Sequence, residues 1–144
     1  VLGEEPGHAR LIQPRAELLH LVLPAHHPQA KRPRVRLEQL RDDAFIAYST
    51  DRYLRDLQLA ALARAGVTPR RLHAADSSET ILGFVAAGLG FSLLASLLPE
   101  GPREAGVVSK ALPGAGTGSV HAAWRKTAAR SPLIQAALSL APRR

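Results

Sequence analysis

The chain has 144 residues, 46% apolar and 22% charged, a globular composition that suits one ordinary domain or two small lobes and excludes wholesale disorder. Cysteine is absent, which excludes disulfides, thiolate metal sites and a cysteine nucleophile together. The net charge of +7 favours anionic partners (nucleic acid, small organic anions or acidic protein surfaces), while three Phe, two Tyr and one Trp supply little for stacking single-stranded bases.

The sequence opens on Val1 and contains no methionine, so it reads as a piece of a longer chain. Glu4, Glu5, His8 and Arg10 interrupt any apolar stretch at the start, which speaks against a signal peptide. Leu19 to Leu23, closed by Pro24, reads as a buried strand. Lys31, Arg32, Arg34, Arg36 and Arg41 then form a local basic cluster, expected in a solvated loop or at a strand edge. Ala44 to Tyr48 is a second buried strand. Ser49, Thr50 and Asp51 offer N-cap groups to a helix whose apolar face is Leu54, Leu57, Ala61, Leu62 and Ala65, and Gly66 ends it.

Thr80 to Pro99 is uncharged and long enough in principle to span a bilayer, which needs about 17 to 25 residues. Glu79 and Glu100 flank it without a basic anchor, no Trp or Tyr marks an interface, and Gly88-Leu89-Gly90 divides it. It reads instead as a helix and a strand. Asp76 is the expected N-cap with Glu79 completing a capping box, Ile81, Leu82, Val85, Ala86 and Leu89 recur at helical spacing, Gly88 ends the helix, and Phe91 to Leu94 is the strand. The order is strand, helix, strand, helix, strand, an α/β sheet. Val107 to Leu112 and Val120 to Trp124 are further strands around the glycine-rich Pro113 to Gly118. Ser131 and Pro132 open a last helix, with Leu133, Ile134, Ala137, Leu138 and Ala141 expected inward.

No Gly-x-Ser-x-Gly elbow occurs, and Gly114 to Gly118 lacks the lysine of a phosphate-binding loop. His8, His20, His26, His27, His73 and His121 show no helical zinc spacing. No catalytic set, metal or cofactor is therefore implied. Ligands of α/β sheets settle beyond the carboxyl ends of strands, where helix N-termini favour anions. Tyr48, Ser49 and Thr50 occupy such a place; Ser49 and Thr50 either cap the following helix or present hydroxyls to a ligand.

Seven pieces in order carry a family resemblance: Leu19-His20-Leu21-Val22-Leu23-Pro24, His27-Pro28, Leu37 to Leu40, Phe45-Ile46-Ala47-Tyr48, Ala65-Gly66-Val67-Thr68-Pro69, Thr80 to Leu94 with its Val85-Ala86-Ala87-Gly88-Leu89-Gly90 core, and Trp124-Arg125 before Ser131-Pro132. Over about Leu18 to Leu140 the chain resembles the effector-binding domain of LysR-type transcriptional regulators. Gln29 stands where a Leu is usual after His-Pro, and Ala95 near where Pro is frequent.

The resemblance implies a periplasmic-binding-protein-like α/β fold of two lobes, the first incomplete. Residues 1–24 would hold part of the first lobe and a crossing strand, 25–112 the second lobe, and 113–144 the return to the first with the C-terminal helix. It implies a small, anionic effector against Tyr48, Ser49 and Thr50, with Gly88 and Phe91 as cleft wall. It further implies a cytoplasmic, non-enzymatic sensor that is oligomeric in the full-length protein. The helix after Tyr48 would meet a first-lobe helix of a second copy, and DNA would be reached only through an N-terminal helix-turn-helix absent from this chain. The alternatives are a solute-binding module of a transport system and, further off, a hydrolase or transferase with a dispersed site.

Distributed Lys and Arg without a recognition helix predict DNA binding that is weak, indifferent to sequence and steeply lost with salt. Fluorescence anisotropy against specific and scrambled duplexes checks this. A sequence preference that persists at physiological salt would contradict it.

Overall fold

Pairing of Leu19–Pro24 on both of its edges sets the main sheet. All its residues are buried, and they alternate between two cores: Leu19, Leu21 and Leu23 enter one, Val22 the other. A strand buried on both faces carries no polar alternation, as this run shows. The computed structural model describes residues 8–17, 19–96, 98–115, 117–125, 128 and 131–140. It divides into two compact units, Glu17–Thr117 and a second made of Val1–Ala16 with Gly118–Arg144.

In the larger unit, strand β2 (Leu19–Pro24) pairs antiparallel with β5 (Ser92–Ala95) on one side and β6 (Val107–Ala111) on the other. Strands β3 (Phe45–Tyr48) and β4 (Leu72–Ala75) form a parallel pair. Among the described residues, a single parallel bridge, Phe45 to Phe91, joins the two groups. The Phe91 N–H donates to the Ala44 carbonyl at 2.9 Å and the Ile46 N–H to the Phe91 carbonyl at 2.9 Å. The order is thus β4-β3-β5-β2-β6. Helix α1 (Arg52–Arg64) packs Ala61 and Leu62 into the core of Leu19, Leu21 and Leu23, and helix α2 (Ser78–Ala86) packs Ile81, Leu82 and Val85 into the core of Val22. The two helices therefore cover opposite faces.

The chain positions the sequence implies for these elements are found, with displacements of physical origin. The N-cap of α2 is Ser77, not Asp76: its Oγ accepts from the Thr80 N–H at 3.1 Å. That places Thr80 three residues after the cap, so Glu79 cannot close a capping box. The apolar pattern of the sequence marks no strand between Gly66 and Asp76, where β4 lies; its Leu72, His73 and Ala74 are exposed, and an edge strand with one buried residue lacks a legible apolar period. Gly88 ends α2 with φ +81°, its N–H donating to Val85 and that of Leu89 to Phe84, the paired bonds of a left-handed helix stop. Gly90 is required by close approach, since a Cβ there would lie 2.2 Å from the Ala44 carbonyl oxygen. Among the described residues, no helix is long and apolar enough to cross a membrane.

The smaller unit contains β1 (His8–Glu17), paired with β7 (Thr117–Trp124), and helix α3 (Pro132–Leu140). Strand β1 went unrecognised because His8, Arg10, Gln13, Pro14 and Arg15 break its apolar pattern. On α3, Leu138 is buried as expected, but Leu133 and Ala137 are exposed; Ala141 and Gly116 lie outside the described residues.

Gln58 on α1 is fully buried, and its amide occupies the gap beyond the Phe45–Phe91 bridge. Its Oε1 accepts from the Tyr48 N–H at 3.0 Å, and its Nε2 donates to the Leu93 carbonyl at 2.8 Å and the Ser92 Oγ at 3.2 Å. Gln58→Leu keeps the volume but strips two buried backbone groups of their partner, and is expected to cost about 3 kcal/mol. Urea unfolding measures it; a loss below about 0.5 kcal/mol would show that those groups find other partners.

Candidate functional site

The carboxyl ends of β3 and β4 are adjacent, and α1 and α2 leave them toward opposite faces. The carboxyl ends of strands, where helices diverge in this way, are where α/β sheets take ligands. Tyr48, Ser49 and Thr50 line the end of β3; Asp76, Ser77 and Ser78 follow β4.

Each residue has a distinct state. Tyr48 is buried in the core of α2, and its hydroxyl lies 2.7 Å from Ser78 Oγ in the first turn of that helix. The Tyr48 side chain thereby ties the end of β3 to the start of α2. The Ser49 N–H donates to the Ala75 carbonyl at 2.8 Å, the last rung between the strands. The cap of α1 is Asp51, whose Oδ1 accepts from the Leu54 N–H at 2.9 Å. Of the three cap candidates in the sequence, only the aspartate does that work. The side chains of Ser49 and Thr50 are exposed and make no hydrogen bond among the described residues. Arg55 sits half-buried on the first turns of α1, with Nη1 donating to the Tyr48 carbonyl at 3.3 Å. It adds a cation beside this loop.

Gly88 and Phe91, expected in the cleft wall, are not brought to Ser49 and Thr50. Helix α2 starts at the carboxyl ends of the strands and runs back, so its stop must fall at their amino ends. There Gly88 lies under the His26 ring, with the site of a Cβ 3.3 Å from Cε1. Phe91 is 1% exposed and stands edge-on to Phe45, centroids 5.2 Å apart. With about 3.3 Å per strand residue, the length of β3 separates them from Ser49 by about 10 Å. Phe91 serves the core by its burial, and Gly88, which is exposed, serves the helix stop by its positive φ.

Sequence reasoning missed Gln58, Arg55, Ser77 and Ser78. Gln58 had a signal: it is the polar residue on an apolar face, four after Leu54 and three before Ala61. The basic cluster is an exposed loop, as expected, with Lys31, Arg32, Arg34, Arg36 and Arg41 all exposed. Of the histidines, His27 Nε2 meets Asp43 Oδ2 at 3.2 Å, and His20 is buried with Nε2 3.3 Å from the Pro99 carbonyl. Among the described residues, no group of three His, Asp or Glu is placed to hold a metal.

A family profile described as the LysR substrate binding domain matches residues 9–144. Among curated relatives, the transcriptional dual regulator GltC of Bacillus subtilis is 32% identical over 78 residues, covering 54% of this chain and 26% of GltC. The chain thus spans about a quarter of the length of such relatives. Among solved structures, the PA01 protein, a LysR-family regulator from Pseudomonas aeruginosa, superposes with a TM-score of 0.74 at 24% identity, over 94% of this chain and 47% of that one. The BenM effector-binding domain with its effector benzoate superposes with a TM-score of 0.64 at 23% identity, over 88% and 58%. These likenesses show the fold, that of periplasmic-binding-protein-like effector domains.

Burial pushes the Tyr48 phenol above its usual 10.0; the Ser78 hydrogen bond opposes the shift, and the charges of Asp51 and Glu79 add to it. A raised folded-state value means that the unfolded chain releases this proton first, so the contribution is intact below about pH 10 and is lost as pH rises above it. Urea unfolding between pH 8 and 10.5 is expected to show stability falling at the alkaline end, less steeply in Tyr48→Phe. Equal alkaline slopes in the two proteins would refute the assignment.

Proposed function

The chain belongs to the LysR substrate-binding-domain family, and on that footing we propose that it is the effector-sensing domain of a LysR-type transcriptional regulator that takes a small organic anion beside Tyr48, Ser49 and Thr50. One observation carries the site: Asp51 caps α1, so the Ser49 and Thr50 hydroxyls are exposed and uncommitted among the described residues. A carboxylate can accept from both hydroxyls, contacts worth roughly 1.5 to 3 kcal/mol each when desolvated. The N-terminus of α1 and the Arg55 guanidinium favour the same sign of charge. Benzoate, the effector of BenM, belongs to this chemical class.

The two compact units correspond, on this reading, to the two lobes of the fold. An effector that binds two arrangements of the domain unequally shifts their populations, and that difference is the signal passed to a DNA-binding domain. The protein then works in the cytoplasm as a homo-oligomer without catalytic turnover. Membership of a regulator family favours this reading over a transport-associated solute binder.

A thermal-shift panel of aromatic and aliphatic carboxylates that includes benzoate identifies a ligand, and calorimetry then compares wild type with Ser49→Ala and Thr50→Val. Each variant is expected to bind about tenfold more weakly, a difference of about 1.4 kcal/mol. Unchanged affinity in both would remove these residues from the site.

A further inference from the structure

The sheet order β4-β3-β5-β2-β6 leaves β6 bonded to β2 alone among the described strands. Its outer edge therefore presents backbone N–H and C=O groups to whatever lies beside it. A groove of about 1070 Å³ lies against that edge, with Ser109, Lys110, Ala111 and Leu112 in its lining. Its other walls come from both faces of the sheet. The loop Pro33–Glu38 and Arg64 of α1 lie on the face of Leu21, whose partner across the ladder is Lys110. Pro99 and Glu100 lie on the face of His20, which contacts the Pro99 carbonyl. A ligand pocket ordinarily opens on one face of a sheet. A hollow that straddles a strand edge has the shape of one more strand.

Charge selects the occupant. Arg34, Arg36, Arg64 and Lys110 line the groove against Glu38 and Glu100. Glu100 is already paired with Arg103, at 2.5 Å. Arg64 donates to the Ala115 carbonyl, whereas Arg34, Arg36 and Lys110 have no ion-pair partner among the described residues. Lys110 in the middle of the edge repels a basic strand, including β6 of a second copy, and disfavours a neutral one that would desolvate its ammonium without a counter-charge. The same ammonium attracts a strand that carries carboxylates.

We propose that the outer edge of β6 is a docking site for an extended acidic segment of a partner protein, which pairs with β6 through its backbone and sets its carboxylates against Arg34, Arg36 and Lys110. The site shares no residue with the proposed effector site at Tyr48, Ser49 and Thr50 and stands independently of any effector there.

Fluorescence polarisation with the chain tests this, using three labelled peptides of equal length: glutamate alternating with valine, lysine alternating with valine, and glutamate alternating with proline. The first is expected to bind and the second not. The third keeps the charge but lacks half of the strand N–H groups, and is expected to bind at least about tenfold more weakly. The double variant Arg34→Glu with Lys110→Glu, on exposed and half-exposed positions that leave the core untouched, is expected to weaken the first peptide about tenfold or more, with circular dichroism unchanged. Equal binding of the glutamate–valine and glutamate–proline peptides would reduce the surface to a patch of charge and overturn strand addition. Affinity unaltered by the double variant would place the peptide elsewhere.

Discussion

The amide of Gln58 holds the sheet together at the point where its backbone ladder stops. A parallel ladder that began at Phe45 and Phe91 would carry on toward the carboxyl ends with backbone bonds from Tyr48 to Leu93. Instead the Gln58 side chain stands between them, accepting from one and donating to the other. Ser92 Oγ completes the joint by donating to the Ile46 carbonyl at 2.6 Å. The strands are thus held at side-chain length rather than at ladder spacing, which widens the sheet where Tyr48, Ser49 and Thr50 emerge. Because a half-satisfied buried network costs more than an apolar core, the glutamine must make all of these bonds or the joint fails.

This joint also explains why α1 begins where it does. With the Tyr48 N–H committed to Gln58 and the Ser49 N–H to Ala75, the chain leaves the sheet after one more residue and needs a cap at Asp51. An aspartate there satisfies a free amide of the first turn and places negative charge against the helix dipole. Ser49 and Thr50 are left in the turn between the last ladder bond and the cap, with no structural duty for their hydroxyls.

Elements whose burial is uniform were legible in the sequence; those set by edges and by single polar groups were not. Leu19 to Leu23, Ala44 to Tyr48 and the face of Leu57, Ala61 and Leu62 are apolar runs at strand or helix spacing, and the structure uses them as such, whereas Leu54 at the start of α1 packs against the other core. Strand β4 is exposed at Leu72, His73 and Ala74, so its pairing rests on backbone bonds that no side-chain pattern records. Phe91 was legible as part of a strand, yet its end of the strand was not. Which end of β3 a residue reaches depends on the direction in which α2 returns, a property of topology. The cap of α2 moved by one residue because serine and aspartate are nearly equivalent caps in sequence, and only Ser77 has its oxygen within reach of the Thr80 amide.

The proposed effector site and the proposed docking edge of β6 would both take anionic groups, yet they are positioned to be filled separately. Strands β5 and β2 lie between β3 and β6, and at about 4.8 Å per strand this puts the two edges about 14 Å apart across the sheet. That is beyond a Debye length at physiological ionic strength, about 8 Å, so direct repulsion between two bound anions is largely screened. Any influence of one on the other has to pass through packing. Among the described strands, β2 alone touches both cores and pairs with both β5 and β6. A change in the separation of β3 and β5 at the Gln58 joint would reach β6 through the register of β2, from Ser92 opposite Val22 to Val22 opposite Ser109. The strand that sets the core is thereby also the physical link between the two surfaces.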